Sequence, residues 1–279
     1  MTAETRQALA GRHVVVTRPQ QQSNSLSAAI HAAGGIPVLF PLLLIHSVNE
    51  EERHALHDVL RQLVAGMFGW AVFVSPNAIE KTFDELHKLG LPWPDQVRVA
   101  VVGKGSEHAL MERNVSSQKV ISPTARYDSE GLLALPELQM AQMQGQRVMI
   151  FRGDGGRELI AQTLRERGAS VDYITCYRRS APCGAAADTT VLQYLWQQGQ
   201  LDAITITSSE GLRHLHALLG ETKMGHSSLS LLETTPLFVP HARIAEEAQR
   251  LGLSRVVATA AGDVGLLAGL IEYFDLSHH

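Results

Sequence analysis

The residues best placed to do chemistry lie in Val148–Arg179, VMIFRGDGGRELIAQTLRERGASVDYITCYRR. Val148–Phe151 is an apolar run of the kind that forms a buried strand, and Arg152-Gly153-Asp154-Gly155-Gly156 breaks it. Residues 157–167 then carry Leu159, Ile160, Thr163 and Leu164 on one helical face and close at Gly168; residues 171–177 read as a second extended run. A glycine-rich turn between strand and helix presents unpaired backbone N–H groups at the helix start, where the macrodipole also favours negative charge. With Arg152 and Arg157 beside it, the turn is a candidate anion site. The same residues fit a tight turn that needs glycine and nothing else, and this stretch alone does not choose between the two.

Similar joints recur along the chain. HVVV is followed by Thr17-Arg18, and WAVFV by Ser75-Pro76-Asn77-Ala78. Thr17 and Arg18 fall where open α/β sheets bind ligands, at the carboxyl end of a strand; a capping Thr and a surface Arg are the plainer account. Ser75 fits an N-cap with Pro76 at the first helical position, which also puts hydroxyl, amide and N–H groups at a sheet edge. Gly103-Lys104-Gly105-Ser106 starts like a dinucleotide fingerprint, but His108 stands at the third glycine position and no acidic residue clearly ends a following strand, so no nicotinamide cofactor is expected. Thr207-Ser208-Ser209 repeats the hydroxyl-bearing turn, and Pro240-His241-Ala242-Arg243 precedes another helix.

The elements that must hold these joints alternate. Strands are expected at 13–17, 36–41, 70–74, 98–102, 119–122, 202–207, 237–239 and 256–258, with 42–48 continuing extended. Helices are expected at 24–33, 50–64, 79–89, 129–136, 190–198, from 212, 242–251 and 264–273. Strict βαβα order over 279 residues indicates an α/β protein with two doubly wound, parallel-sheet domains. The Ala/Gly-rich stretch 178–188 reads as a linker or loosely packed connection.

Composition narrows the function. A net charge of −4 without a long basic run argues against nucleic acid or an anionic membrane as partner. No apolar stretch is long enough to span a bilayer, and the N-terminus lacks a signal-like apolar core, so a cytoplasmic protein is expected. Cys176 and Cys183 match no common zinc pattern and read as reduced thiols. His54-x-x-His57 lacks the Glu of a zinc-protease motif and reads as a pair of solvated surface histidines, so no metal is expected.

In their order and separations, V-T-R-P, F-V-S-P-N-A, R-G-D-G-G-R-E-L with C-Y-x-R, and T-S-S-E-G-L resemble the uroporphyrinogen-III synthase family over nearly the whole chain. The resemblance implies one discontinuous domain from 1–40 and 181–279, a second from 46–174, and a two-stranded linker of 41–45 with 175–180. It implies hydroxymethylbilane as substrate, no cofactor, a monomer, and room for transient contact with hydroxymethylbilane synthase. The reaction so implied is loss of the hydroxymethyl hydroxyl to an azafulvene, attack by the substituted carbon of ring D, and fragmentation and reclosure of the spiro intermediate with ring D inverted. The substrate's eight carboxylates suit a cleft lined by helix N-termini, which bind anions without a basic patch. Thr17, Arg18, Ser75, Asn77, Gly103–Ser106, Arg152–Gly156, Thr207, Ser208, Ser209, His241 and Arg243 are the implied substrate-binding residues. Ser106 replaces the family's usual Thr, and Pro240–Arg243 replaces a G-P-T-T-A-like turn, which removes its hydroxyl donors. Tyr177 is the implied catalytic residue: a phenol with a reference pKa near ~10 is protonated at neutral pH and can donate to a departing hydroxyl. Tyr173, four residues earlier, is expected on the same side of the strand. A non-catalytic two-domain protein that clamps a polyanionic small molecule is the alternative, and turnover separates the two.

Overall fold

The structure, a computed structural model, describes residues 8–184, 188–220 and 226–276. The N-terminal stretch, expected to lack a signal-like core, and the Ala/Gly-rich connection at 178–188 therefore lie partly outside the described residues. The chain begins with β1 (His13–Val16), α1 (Gln20–Ala32), β2 (Ile36–Leu39), β3 (Leu44–Ser47), α2 (Glu50–Val64), β4 (Trp70–Phe73), α3 (Pro76–Lys88), β5 (Arg98–Val101) and α4 (Lys104–Glu112). It continues through β6 (Val120–Ile121), α5 (Ser129–Leu133), α6 (Met140–Met143), β7 (Arg147–Gly153), α7 (Leu159–Glu166), β8 (Ser170–Ser180) and α8 (Thr190–Gln197). The last elements are β9 (Leu201–Thr205), α9 (Ser209–Gly220), α10 (His226–Thr234), β10 (Leu237–Val239), α11 (Ala242–Arg250), β11 (Val256–Ala258) and α12 (Gly262–Leu276).

Two compact units result, Met1–Leu44 with Ser180–His279, and Ile45–Arg179. The first holds a sheet in the order β11-β10-β9-β1-β2, the second a sheet in the order β3-β8-β7-β4-β5-β6. Pairing is parallel from β11 to β2 and from β8 to β6. The chain crosses from the first unit to the second within β3 and back at the end of β8, and β3 neighbours β8 in the second sheet.

Helices cover both faces of each sheet, which is why the central strands are apolar without alternation. WAVF in β4 is buried throughout. Its Ala71 and Phe73 pack with Leu56, Leu60, Ile79 and Phe83 of α2 and α3. Its Trp70 and Val72 face Leu132, Ile160 and Leu164 on the other side. In the first unit, Val15, Ile204 and Val239 meet α8 to α11, while Val14, Val16 and Phe238 meet α1 and α12.

Local chemistry fixes the helix starts. Asn49 accepts from the Glu52 N–H at 2.9 Å and Glu52 accepts from the Asn49 N–H at 3.2 Å, a reciprocal cap that begins α2. Ser75 accepts from the Ala78 N–H at 3.2 Å and Pro76 opens α3. Strict βαβα alternation does not hold: β2 is followed directly by β3 where the chain changes unit, α5 by α6, and α9 by α10. His57 is not a solvated surface histidine. Its Nε2 lies 2.6 Å from the buried Glu85 carboxylate of α3, which Lys88 holds from the other side at 2.6 Å. Among the described residues no helix is long and apolar enough to cross a membrane, and no group of three or more His, Cys, Asp or Glu is placed to hold a metal.

Candidate active site

Strand order places the expected residues. In the second unit the chain runs β4 to β6 in one direction and then returns to β7 and β8 on the other side of β4. The order therefore reverses between β4 and β7, and ligands of open α/β sheets bind beyond the carboxyl ends of the strands at such a point. Ser75 and Asn77 follow β4, Gly103–Ser106 follow β5, Arg152–Gly156 end β7, and Tyr177 lies towards the end of β8. The first unit reverses between β1 and β9. There Thr17 and Arg18 follow β1, Thr207–Ser209 follow β9, and His241 and Arg243 follow β10. Each unit thus gathers its own set at one sheet edge.

Tyr177 owes its position to a bulge. Arg152 pairs with Thr175 but Gly153 pairs with Tyr177, so Cys176 is the extra residue. In a regular strand Cys176 and Tyr177 would point to opposite faces. Here both join the core beneath α2 and α3, and the Thr82 hydroxyl of α3 reaches Cys176 Sγ at 3.4 Å. Burial pushes the Cys176 thiol up to about 12. The Tyr177 ring packs close against Gly153: a Cβ there would come within 2.6 Å of Cζ. Its hydroxyl lies 2.9 Å from Ser75 Oγ. Burial pushes this phenol up, against the Ser75 hydrogen bond, the Arg179 charge and a hydrogen bond from Asn77.

The bulge also corrects the expectation for Tyr173. It packs against the core on the α5–α7 side, the opposite face from Tyr177. Its hydroxyl donates to Glu158, and its ring is flanked by the guanidinium groups of Arg152 at 4.6 Å and Arg165 at 5.4 Å. Burial, then the Glu158 hydrogen bond, pushes this phenol up as well.

The glycine turn differs from its expected form. The strand runs on through Gly153 and α7 starts only at Leu159, with Glu158 at the N-cap position. Gly155 and Gly156 have φ of 69° and 121°, left-handed values that favour glycine. The two arginines that were to draw an anion already hold carboxylates. Arg152 meets Glu158 at 2.9 Å, and Arg157 makes a bidentate pair with Glu130 at 2.6 and 3.1 Å. Asp154 accepts from the Arg179 N–H at 2.9 Å, which ties the turn to β8. Gly103 is the N-cap residue of α4, so Lys104, Gly105 and Ser106 form that helix's first turn; Lys104 is exposed and paired to Glu107 at 2.9 Å, while Ser106 is buried.

In the first unit Thr17 is buried and gives its hydroxyl proton to the Thr205 carbonyl at 2.6 Å, across the reversal point. Arg18 pairs with Asp263 in the first turn of α12. Ser208 accepts from the Gly211 N–H at 2.9 Å, while the enclosed Ser209 hydroxyl has no partner among the described residues. Thr207 is half-buried in the same loop, and His241 and Arg243 are exposed at the start of α11.

The profile of the family described as Uroporphyrinogen-III synthase HemD matches residues 24–268. The chain belongs to the uroporphyrinogen-III synthase family. It is 33% identical over 258 residues to the uroporphyrinogen-III synthase of Escherichia coli (strain K12), covering 92% of this chain and 99% of that protein. The synthase of Salmonella typhimurium is 32% identical over the same shares. The fold is shared with a uroporphyrinogen III synthase from the extremely thermophilic bacterium Thermus thermophilus (TM-score 0.59, 18% identity, 96% of this chain and 100% of that one). It is also shared with the Helicobacter pylori 26695 enzyme (TM-score 0.55, 13% identity, 96% and 99%).

Sequence reasoning passed over Asp263, Glu158 and Glu130, the carboxylates that hold Arg18, Arg152 and Arg157. Asp263 comes from a strand–helix joint 245 residues from Arg18, and no local pattern links the two. Glu158 was within reach, because an acid at a helix start next to a basic strand end is a local signal.

Proposed function

We propose that Tyr177 is the general acid of this enzyme and that loop edges at the carboxyl ends of its parallel strands receive the substrate's carboxylates. The enzyme closes hydroxymethylbilane to uroporphyrinogen III with inversion of ring D and loss of water. Its relatives are named as synthases, which favours catalysis over a protein that only clamps a polyanion.

The chemistry begins with a poor leaving group. Tyr177 passes its proton to the hydroxymethyl oxygen, the C–O bond breaks with its electron pair going to that oxygen, and water departs. The pyrrole nitrogen feeds electrons to the exposed methylene, giving the protonated azafulvene. The substituted carbon of ring D attacks it, and the spiro intermediate fragments and recloses with the ring inverted. The carbon that closes the macrocycle loses its proton as the pyrrole regains aromaticity, and that proton restores the phenol. The sequence of steps is redox-neutral, and the chain's further task is to hold the tetrapyrrole so that attack by the substituted carbon outpaces end-to-end closure.

One observation carries the reading: a buried phenol, hydrogen-bonded to Ser75, at the carboxyl edge of a parallel sheet. The starts of α3, α4, α9 and α11 add backbone N–H groups at those edges, which suits an anionic substrate on a chain of net charge −4. The same reading has a cytoplasmic monomer acting on a small molecule, without nucleic acid, membrane or cofactor, and meeting hydroxymethylbilane synthase in passing.

Tyr177→Phe tests the assignment. It should leave folding nearly intact and cut turnover by about 10²-fold. Tyr173→Phe, on the opposite face, should change turnover by less than about twofold. Wild-type turnover of Tyr177→Phe at matched thermal stability would reduce Tyr177 to packing.

A further inference from the structure

Ser75 stands in the expected set as a substrate contact, but its hydrogen bonds point elsewhere. Its Oγ has two partners, the Ala78 N–H at 3.2 Å and the Tyr177 hydroxyl at 2.9 Å. Ala78 can only donate. Among the described residues the one acceptor within reach of the Ser75 hydroxyl proton is the phenol oxygen, and the 2.9 Å contact lets either hydroxyl be the donor. Pro76 follows and has no N–H to compete for Ser75 Oγ. The N-cap role fixes the Ser75 oxygen against α3 and within hydrogen-bond reach of the Tyr177 hydroxyl.

The phenol oxygen can both accept hydrogen bonds and donate one. The Asn77 amide also stabilises its ionised form. With Ser75 and Asn77 both donating, the phenol's own proton is left to face away from them. The ring is fixed by its contact with Gly153, where even a Cβ would strike Cζ, Cε2 and the hydroxyl at 2.6, 2.7 and 3.0 Å. Arg179, held by Asp154 through its backbone N–H at 2.9 Å and a guanidinium bond to the Asp154 carbonyl at 3.0 Å, adds positive charge to the same surroundings.

We propose that Ser75 is a positioning residue for Tyr177 rather than a substrate contact: its hydroxyl donates to the phenol oxygen, directs the phenol proton to the substrate's hydroxyl, and holds the phenolate once that proton has left. The inference rests on Tyr177 as the general acid and adds to it the group that makes a buried tyrosine usable. Burial favours the phenol but disfavours the phenolate, so an acid at this position needs a fixed donor for its conjugate base. The step conserves charge: the proton moves from Tyr177 to the departing oxygen, the negative charge stays on the phenolate, and the Ser75 proton remains on Ser75 throughout.

The test is a double-mutant cycle on kcat and KM with hydroxymethylbilane. Ser75→Ala should lower kcat about 10-fold and leave KM within about twofold, because Asn77 and Arg179 still face the phenolate. Ser75→Gly, which retains most of the helix cap, should behave alike and guards against loss of folding as the cause. Ser75→Thr, which keeps the hydroxyl, should restore most of kcat. In the Tyr177→Phe background Ser75→Ala should change kcat by less than about twofold. An equal fall in both backgrounds, or a change in KM alone, would overturn the positioning role while leaving Tyr177 as the acid. Full activity of Tyr177→Phe would instead remove the acid assignment, and this proposal with it.

Discussion

Gly153→Ala perturbs the site by one methyl group, and its effect can be worked from the contact. The backbone at Gly153 does not have a positive φ, so alanine is allowed there by the chain itself. The penalty comes from the Tyr177 ring, whose Cζ, Cε2 and hydroxyl would lie 2.6, 2.7 and 3.0 Å from the new Cβ. Carbon atoms rest at roughly 3.5–4.0 Å, so the ring must retreat by about 1 Å. The 2.9 Å bond to Ser75 has little slack before it leaves hydrogen-bond range, about 3.5 Å. Misplacing a reacting group by about 1 Å costs on the order of 10²-fold in rate, and overpacking a core costs about 1–3 kcal/mol in stability. Turnover and urea melts of Gly153→Ala should show both. With Tyr177→Ala as the background the clash is gone, and Gly153→Ala should then be neutral or stabilising by about 0.4–1 kcal/mol. Wild-type turnover and stability of the single variant would refute the argument, because the ring would have room that the contact denies it.

On the proposal that Arg18, paired with Asp263 in this structure, turns to a substrate carboxylate, Arg18→Ala should raise KM about 10-fold and leave kcat within about twofold, since a contact made equally in ground and transition states is uniform binding; steady-state kinetics decide it. Alkaline stability should report Cys176. Its folded pKa is raised from 9.0 to about 12, so above pH 9 the unfolded chain loses this proton first and stability falls as pH rises towards 12. Urea melts of Cys176→Ala across that window should show a slope flatter by up to ~1.4 kcal/mol per pH unit, and an unchanged slope would mean the thiol titrates as it does in water.

Much of the frame was legible because its signals are local. The apolar stripe of residues 50–64 announced α2, and Ser75 with Pro76 announced the start of α3. The apolar runs at β4, β5 and β7 were legible because strands covered on both faces carry no alternation to be confused by polar residues. The bulge at Cys176 was not, since it inserts a residue without a glycine or proline to mark it, and it overturned the face expected for Tyr173. Short α6 and α10, which follows another helix directly, broke an alternation that the sequence presents as regular. The partners of the arginines were hidden for a different reason. Arg157 meets Glu130 and Arg18 meets Asp263 only after the sheets bring distant loops to one edge.

The most direct measurement of the account feeds the folded protein with hydroxymethylbilane and separates the product isomers. The account predicts uroporphyrinogen III in excess over the type I isomer that forms spontaneously, with the excess reduced in Tyr177→Phe. Type I alone, from protein that is folded by circular dichroism and melts cooperatively, would contradict it.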